Sequence, residues 1–468
     1  MPSASKLLVQ LLMIALFLTP FMITAVAGLP YPEQEPLWSV PDQVFDLDFS
    51  KDGSLIVIST GDALKVYSSD GSLLWWYSKP SYTVTAVAVS CGGEAVAAAF
   101  YSVSNFDSRI LYWSGASILS GSPEPMWNST NLYGEIGAEA LDISCSGEQV
   151  VAVGTGPNLY YWNESSSRSG GEQDATWHGF LGEDLVSVRI SDDGDRLAIL
   201  YHSIGRDGEL ALYWYEGALH ASGPVDPTAF TRISLSNNVI DSALSMSGDG
   251  RYVVVSYNTL GGSGLAYIDF SVSPYKYWTS TFDFNSIGGV DVSDDGSIVA
   301  TTVGMPLPAL YYNLYNSGVK FLPAFIANIS FYSVDPGFAN GSTMIPDVNA
   351  TIEFTNPEYL KSISMDSDGE VAVAGTGYTV IAATPSGEVL WYDNSTNRIS
   401  DHVAVARWAD LVATGGGEID SLHLYRLMPR PPTLPIVGGS AVIEGPSLSM
   451  PAIIIGAIML GLLILRRR

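Results

Sequence analysis

The chain has 468 residues, 47% of them hydrophobic, with 48 acidic against 21 basic residues and a formal net charge of −27. A surface this acidic repels polyanions, which excludes nucleic acid and anionic lipid as partners. The only two cysteines, Cys91 and Cys145, form no Cys-x-x-Cys motif and have no histidine close by in sequence, so they carry no metal-ligand signature.

At the N-terminus one positive charge, Lys6, precedes an apolar run that ends in a small-x-small site, Ala25-Val26-Ala27. This is the layout of a secretory signal over residues 1–27, with an uncleaved N-terminal anchor as the alternative. At the other end, Ser447 to Leu465 carries no charge and as a helix spans about 28 Å, close to one bilayer core. Arg466, Arg467 and Arg468 follow directly and mark the cytoplasmic side. Residues 447–465 are therefore read as a single transmembrane helix, 466–468 as a cytoplasmic tail, and the bulk of the chain as extracellular. All the acidic residues lie between these two ends. Six Asn-x-Ser/Thr sequons, at Asn128, Asn163, Asn328, Asn340, Asn349 and Asn394, are candidate N-glycosylation sites in an exported chain.

Between the ends one pattern recurs: an alternating apolar strand ending in Ser, a Gly two or three residues on, and a second apolar strand. It occurs in "FDLDFSKDGSLIVIST", "VTAVAVSCGGEAVAAAF", "EALDISCSGEQVVAVGT" and "LVSVRISDDGDRLAILY". It returns in "DSALSMSGDGRYVVVSY", "GGVDVSDDGSIVATTV" and "KSISMDSDGEVAVAGT", with a degenerate eighth copy in "HVAVARWADLVATGG" that has lost the turn. A third strand rich in Tyr and Leu follows each copy, among them "ALKVYSS", "RILYWSG", "NLYYWNE" and, for the sixth copy, "ALYYNLY". A shorter fourth strand often carries Trp, as in "SLLWWYS" and "EVLWYDN". Period-2 alternation says strand, and Gly, Asp, Ser and Asn between the runs say tight antiparallel turns.

Four short strands repeated about every 50 residues describe the blade of a β-propeller. The fold class is all-β, with eight four-stranded blades over residues 28–427; seven is the alternative count if the degenerate repeat packs differently. The last repeat stops at "SLHLYRL" without a fourth strand, while the chain begins with a spare one at residues 35–40, "EPLWSV". Placing Trp38 on the outer edge of the final blade closes the ring. Residues 428–446, rich in Pro and Gly, read as a semi-rigid stalk of no more than about 60 Å. The interval between Gly296 and Gly369 is the longest, with roughly 25 extra residues, and its stretch from Phe321 to Leu360, with three sequons and Phe331, Tyr332 and Phe338, is read as an exposed insertion on the sixth blade suited to partner contact.

The strand–Ser-x-Asp-Gly–strand unit resembles the WD-repeat class of propellers, although no Gly-His or Trp-Asp signature is present. The stretches "SSDGSLLWWYS" and "TPSGEVLWYDN" resemble more closely the repeats of quinoprotein-type (PQQ-like) propellers. The resemblance implies the fold and leaves the activity open, because propellers host many activities and many pure binding roles.

Cys91 and Cys145 occupy the same slot, second in the Ser-x-x-Gly turn, of consecutive blades. Near the axis, where blades converge, this position predicts a disulfide, which in the chain-entropy model contributes about 4 kcal/mol. The alternative is two turn residues whose Cα atoms lie too far apart to bridge, beyond about 7 Å. Two residues before the turn Ser the blades place Asp48, Ala88, Asp142, Arg189, Ser245 and Asp291, with Asp46 two earlier still. Pointing at the channel, Asp46, Asp48, Asp142, Arg189 and Asp291 make a mostly acidic ring able to hold a cation or waters. Pointing between blades, they are structural acceptors satisfied by backbone. The segments Asp192–Asp195 and Asp366–Glu370 look like calcium loops, but turn chemistry accounts for both. The five histidines show no ligand spacing, so no catalytic residue, metal or cofactor is expected.

These features favour a surface-anchored propeller acting as a binding, scaffold or adhesion module for an external protein or glycan. The alternative is an extracellular enzyme of quinoprotein or hydrolase type with a site at the channel mouth. The tryptophans sit on outer strands and no two cysteines are adjacent, which weighs against quinone binding.

Overall fold

The computed structural model describes residues 34–427, except 116–117, 119–123, 157, 182–184, 203–208, 218–225, 236–238, 260–261, 284–285, 306–324, 355–359, 377–378, 394–401, 409 and 417–421. The expected signal, stalk, membrane helix, arginine tail and Asn394 lie outside the described residues. Among the described residues no helix is long and apolar enough to cross a membrane.

Eight antiparallel sheets follow one another along the chain, each built on a core of four strands. Blade 1 comprises Asp46–Phe49, Leu55–Ser59, Leu64–Ser68 and Leu73–Tyr77, and blade 2 comprises Thr83–Val89, Ala95–Ser102, Asp107–Ser114 and Trp127–Ser129. Blade 3 is Leu141–Ile143, Val150–Val153, Asn158–Trp162 and Trp177–Phe180; blade 4 is Leu185–Ile190, Arg196–His202, Glu209–Glu216 and Ala229–Ser234. Blade 5 is Val239–Met246, Tyr252–Thr259, Gly262–Asp269 and Lys276–Asp283; blade 6 is Ser286–Val292, Ile298–Met305, Phe325–Ser333 and Val348–Phe354. Blade 7 is Leu360–Met365, Ala372–Thr376, Val380–Ala383 and Val389–Asp393. Blade 8 takes His402–Ala406, Leu411–Gly415 and Leu422–Arg426 from the end of the chain and Trp38–Val40 from its beginning. The N-terminal strand pairs Trp38 with Leu424 and Val40 with Leu422, as its spare position predicts.

Blade 6 corrects one strand assignment. Its third strand is Phe325–Ser333, with Phe331 opposite Ala300, and not the earlier "ALYYNLY", which lies in the undescribed segment 306–324. Its outer strand is Val348–Phe354. Much of what reads as an insertion is therefore sheet, and the extra length falls largely before the third strand. Two Tyr- and Leu- or Ile-bearing alternating runs follow the second strand here, and alternation alone cannot choose between them.

The repeated turn between first and second strands has a fixed chemistry. In blade 1 the Ser50 hydroxyl accepts from Leu55 N at 2.9 Å and donates to Asp52, while Gly53 N donates to Ser50 O. The same serine contact recurs at Ser90, Ser144, Ser191, Ser247 and Ser293, and Asp366 substitutes for it in blade 7. The turn glycine is required twice over at Gly147: its φ is +75°, and a Cβ there would stand 2.4 Å from Ala95 Cβ of the preceding blade. Each turn thus nests against its neighbour's second strand.

Side-chain size follows radius. The gap between twisted blades widens outward, so small residues such as Ala97, Ala99, Ala152 and Ala374 fill second strands. Fully buried Trp113, Trp127, Trp162, Trp278 and Trp391 fill third and outer strands. Third-strand aromatics also reach the next blade: Tyr112, Trp214 and Tyr267 donate to the carbonyls of Gly147, Gly250 and Gly296 at 2.8–2.9 Å.

The N-terminal strand is anchored by Trp38, whose Nε1 donates to Ser69 O of blade 1 at 2.9 Å and whose ring packs on Gly71. Trp38→Ala is expected to lower stability by about 2–3 kcal/mol, and removal of residues 34–40 to lower the thermal midpoint further, both measured by thermal and urea unfolding followed by circular dichroism.

Candidate functional site: the channel and the two ends of the ring

The first strands surround an axial cavity of about 330 Å³ lined by Asp46, Asp48, Glu139, Asp142, Arg189, Asp192 and Asp291 among others. The structure brings all five sequence-selected channel residues together there, and it shows what their side chains do. In each aspartate one oxygen turns back to the next amide of its own strand: Leu47 N to Asp46, Phe49 N to Asp48, Ile143 N to Asp142 and Val292 N to Asp291, at 2.8–3.0 Å. The other oxygen crosses to the next blade. Val87 N and Val89 N donate to Asp46 and Asp48 at 2.7 Å, Ile190 N to Asp142 at 2.8 Å, and Met365 N to Asp291 at 2.8 Å. The two sequence readings of these residues therefore coexist, since the side chains face the channel while their oxygens clasp backbone.

The same position completes two further junctions with serine. Ser245 donates to Asp291 at 2.6 Å, and Ser364 accepts from Val405 N at 3.1 Å. Ala88 and Ala404 have no such group. The first marks the junction of blades 2 and 3, where Cys91 and Cys145 form a disulfide with Cα atoms 4.5 Å apart. The second marks the junction of blades 8 and 1, which the N-terminal strand spans. Among the described residues Arg189 forms no clasp to blade 5; it pairs with Glu139 and donates to Val188 O.

Burial pushes the Asp46 and Asp142 carboxyls above the usual carboxylate range, against the amides that lower them. Asp48 is raised to about 6, first by burial and then by the Asp142 charge, with Val89 N, Phe49 N and Arg189 opposing.

The cysteine slot, second in each turn, defines a second ring that residue-type reasoning on the strands missed: Lys51, Cys91, Cys145, Asp192, Gly248, Asp294, Ser367 and Arg407. The signal lay in the slot itself, shared by both cysteines. Its backbone is hydrogen-bonded from blade to blade, with Cys91 N to Cys145 O, Cys145 N to Asp192 O, Asp192 N to Gly248 O, Asp294 N to Ser367 O and Trp408 N to Lys51 O. Its charges cross this end of the channel. Lys51 Nζ lies 2.6 Å from Asp192 Oδ1 and 3.7 Å from Asp294, and Arg407 reaches Asp294 at 2.6 Å and Asp291 at 3.0 Å. Burial works against the Arg407 charge, but Asp291 and Asp294 more than offset it and hold the guanidinium more firmly protonated than usual. Cys91, Cys145 and Asp192 bring ligand atoms within 4.8 Å of one another, yet the sulfurs are bonded to each other and Lys51 holds the carboxylate, so the trio offers no thiolate to a metal. The two calcium-loop look-alikes are turns of this ring, with Asp193 accepting from Ser191 and Asp195 N, and Asp366 from Val371 N.

The opposite end carries the connections between second and third strands and between blades. Here large apolar side chains stand in solvent over blades 1–3: Phe45, packed over Gly61, with Val103, Phe106 (68% exposed) and Tyr133 (70% exposed). Tyr133 pairs with Asp107, the neighbour of Phe106, so the two residues lie close along the backbone at this end.

The sequons differ in availability. The Asn128 amide nitrogen donates to Gly171 O at 2.8 Å and its oxygen accepts from Arg109, while Asn163 accepts from Gln149 at 3.1 Å. Asn340 and Asn349 are exposed, and Asn328 lies on the third strand of blade 6.

No protein-family model matches the sequence, and no curated protein matches it. Among solved structures the chain is similar to the C-terminal WD40 domain of Sif2, with a TM-score of 0.54 and 11% identity over 86% of this chain and 100% of that one. It is also similar to the Dos1 propeller, with a TM-score of 0.56 and 12% identity over 83% of this chain and 94% of that one. The chain has a WD40-like β-propeller fold. At such identities the likeness shows the fold alone, and the blade count of eight comes from the sheets themselves.

Two expectations follow. Replacing both Cys91 and Cys145 by Ser, which opens a 54-residue loop, should cost about 4 kcal/mol in urea unfolding. Because the folded chain protonates Asp48 near pH 6 and the unfolded chain near its ordinary 3.8, stability should rise as pH falls from 7 through that window, a gain that is complete below pH 4 for this group. The thermal midpoint should therefore be higher at pH 5 than at pH 7, and Asp48→Asn should flatten that slope.

Proposed function

We propose that the chain is a non-catalytic binding module, a propeller anchored at the cell surface by residues 447–465 and presenting one end of its ring to an external protein or glycan. The observation that carries this reading is the exposure of Phe45, Val103, Phe106 and Tyr133 on the end opposite the ion-paired turns. Aromatic faces held on short loops of a stiff scaffold supply large contact area at low entropic cost, the usual basis of both protein hot spots and sugar stacking. The channel is less suited to that task, because its carboxylates already hold backbone amides on both oxygens. A disulfide suits an oxidising compartment, the acidic surface suits a solvated exterior, and exposed Asn340 and Asn349 suit glycan attachment in such a place. The repeats with a Trp-bearing outer strand, such as "TPSGEVLWYDN", keep the likeness to quinoprotein-type blades as a relationship of scaffold.

The test is site-specific photo-crosslinking on intact cells. A crosslinking residue at position 106 or 133 should yield a discrete adduct, while one at Trp408, at the other end of the ring, should not. Protease applied to intact cells should remove the propeller. A propeller protected from protease, or equal crosslinking at both ends, would reject the reading.

A further inference from the structure

The outer edges of two blades are already covered by short strands donated from the next blade. Glu172–Gln173, in the connection before the outer strand of blade 3, pairs in parallel with Trp127–Ser129 of blade 2. Ser342–Thr343, at the corresponding place in blade 6, pairs in parallel with Lys276–Asp283 of blade 5. Strand addition at the rim is thus a contact this fold makes with its own chain.

Blade 1 has the same kind of edge without a covering strand among the described residues. Its outer strand, Leu73–Tyr77, reads Leu-Leu-Trp-Trp-Tyr and carries none of the charges or prolines that normally blunt an exposed edge. A bulge leaves Leu74 as the extra residue between the Tyr67–Leu73 and Val66–Trp75 pairs. It turns Leu73 and Leu74 outward together with Trp76, which is 54% exposed. These side chains border a groove of about 590 Å³ whose other side is Glu124 of blade 2. Glu124 is followed in blade 2 by Pro125, which lacks the N–H group a ladder needs.

We propose that the outer edge of blade 1 is a docking site for an extended peptide that adds as a fifth strand, with apolar side chains at alternate positions and lysine or arginine at its ends. The backbone of Leu73–Tyr77 supplies the ladder, Leu74 and Trp76 supply the apolar contacts, and Glu124 on a chain of net charge −27 selects the basic flank. This surface is separate from the exposed side chains invoked above, so either can fail without the other.

The experiment uses the full-length chain in mild detergent and three labelled octapeptides, followed by fluorescence anisotropy. The first alternates valine and threonine between terminal lysines, the second has glutamates at its ends, and the third has lysine ends with every other amide N-methylated. The first should bind, and the other two should bind at least about tenfold more weakly. The double variant Leu74→Ser/Trp76→Ser, altered only at exposed positions, should lose at least about tenfold for the first peptide with an unchanged thermal midpoint. Glu124→Lys should weaken the lysine-ended peptide and strengthen the glutamate-ended one. Equal binding of the N-methylated peptide, unchanged binding by Leu74→Ser/Trp76→Ser, or no binding by the first peptide would each overturn the proposal.

Discussion

The structure depends on one repeated contact: a first-strand oxygen acceptor near the axis that takes an amide from the next blade. A blade alone is a small, strongly twisted sheet with two apolar faces, and it is stable only when both faces are covered. The aspartates at 46, 48, 142 and 291 set the spacing and register of neighbouring first strands, and the packing of aromatics further out follows from that register. Removing these carboxylates from bulk water is unfavourable, and burial holds Asp46, Asp48 and Asp142 above the usual carboxylate range. Two amides per carboxylate offset much of that cost.

The junctions are not equivalent, and at two of them a different link stands in for the missing acceptor. Where the acceptor is lost to Ala88 a disulfide joins the same two blades, and where it is lost to Ala404 the N-terminal strand does so. The charged turn ring adds contacts across the channel between blades that are not sequence neighbours: Lys51 of blade 1 holds Asp192 of blade 4, and Arg407 of blade 8 holds Asp291 and Asp294 of blade 6. These contacts brace the ring by chords across its channel as well as around its circumference.

The blade number, the turn chemistry and the closing strand were legible because each is written in local pattern: alternation, Ser-x-x-Gly, and a spare Trp-bearing strand. The channel aspartates were legible as a position but not as a contact, since one oxygen serves the residue's own strand and the other a blade 41 to 74 residues away. The Lys51, Asp192, Asp294 and Arg407 grouping was not read, although the cysteines mark its slot, because four different residue types share no chemical signature along the sequence. The third strand of blade 6 was misplaced for a simpler reason: two alternating runs compete there, and only pairing with Ile298–Met305 on one side and Val348–Phe354 on the other decides between them. The nearness of Phe106 and Tyr133 depends on the turn of one blade meeting the start of the next connection, which no local pattern announces.

The way blade 8 is assembled has a mechanical consequence. Its third strand, Leu422–Arg426, leads to the last described residue, Leu427, and is bonded on one side to Leu411–Gly415 and on the other to Trp38–Val40. Freeing this strand means breaking two ladders, whereas the N-terminal strand is an edge strand of only three residues held by one. The last strand of the ring is therefore harder to strip away than the first.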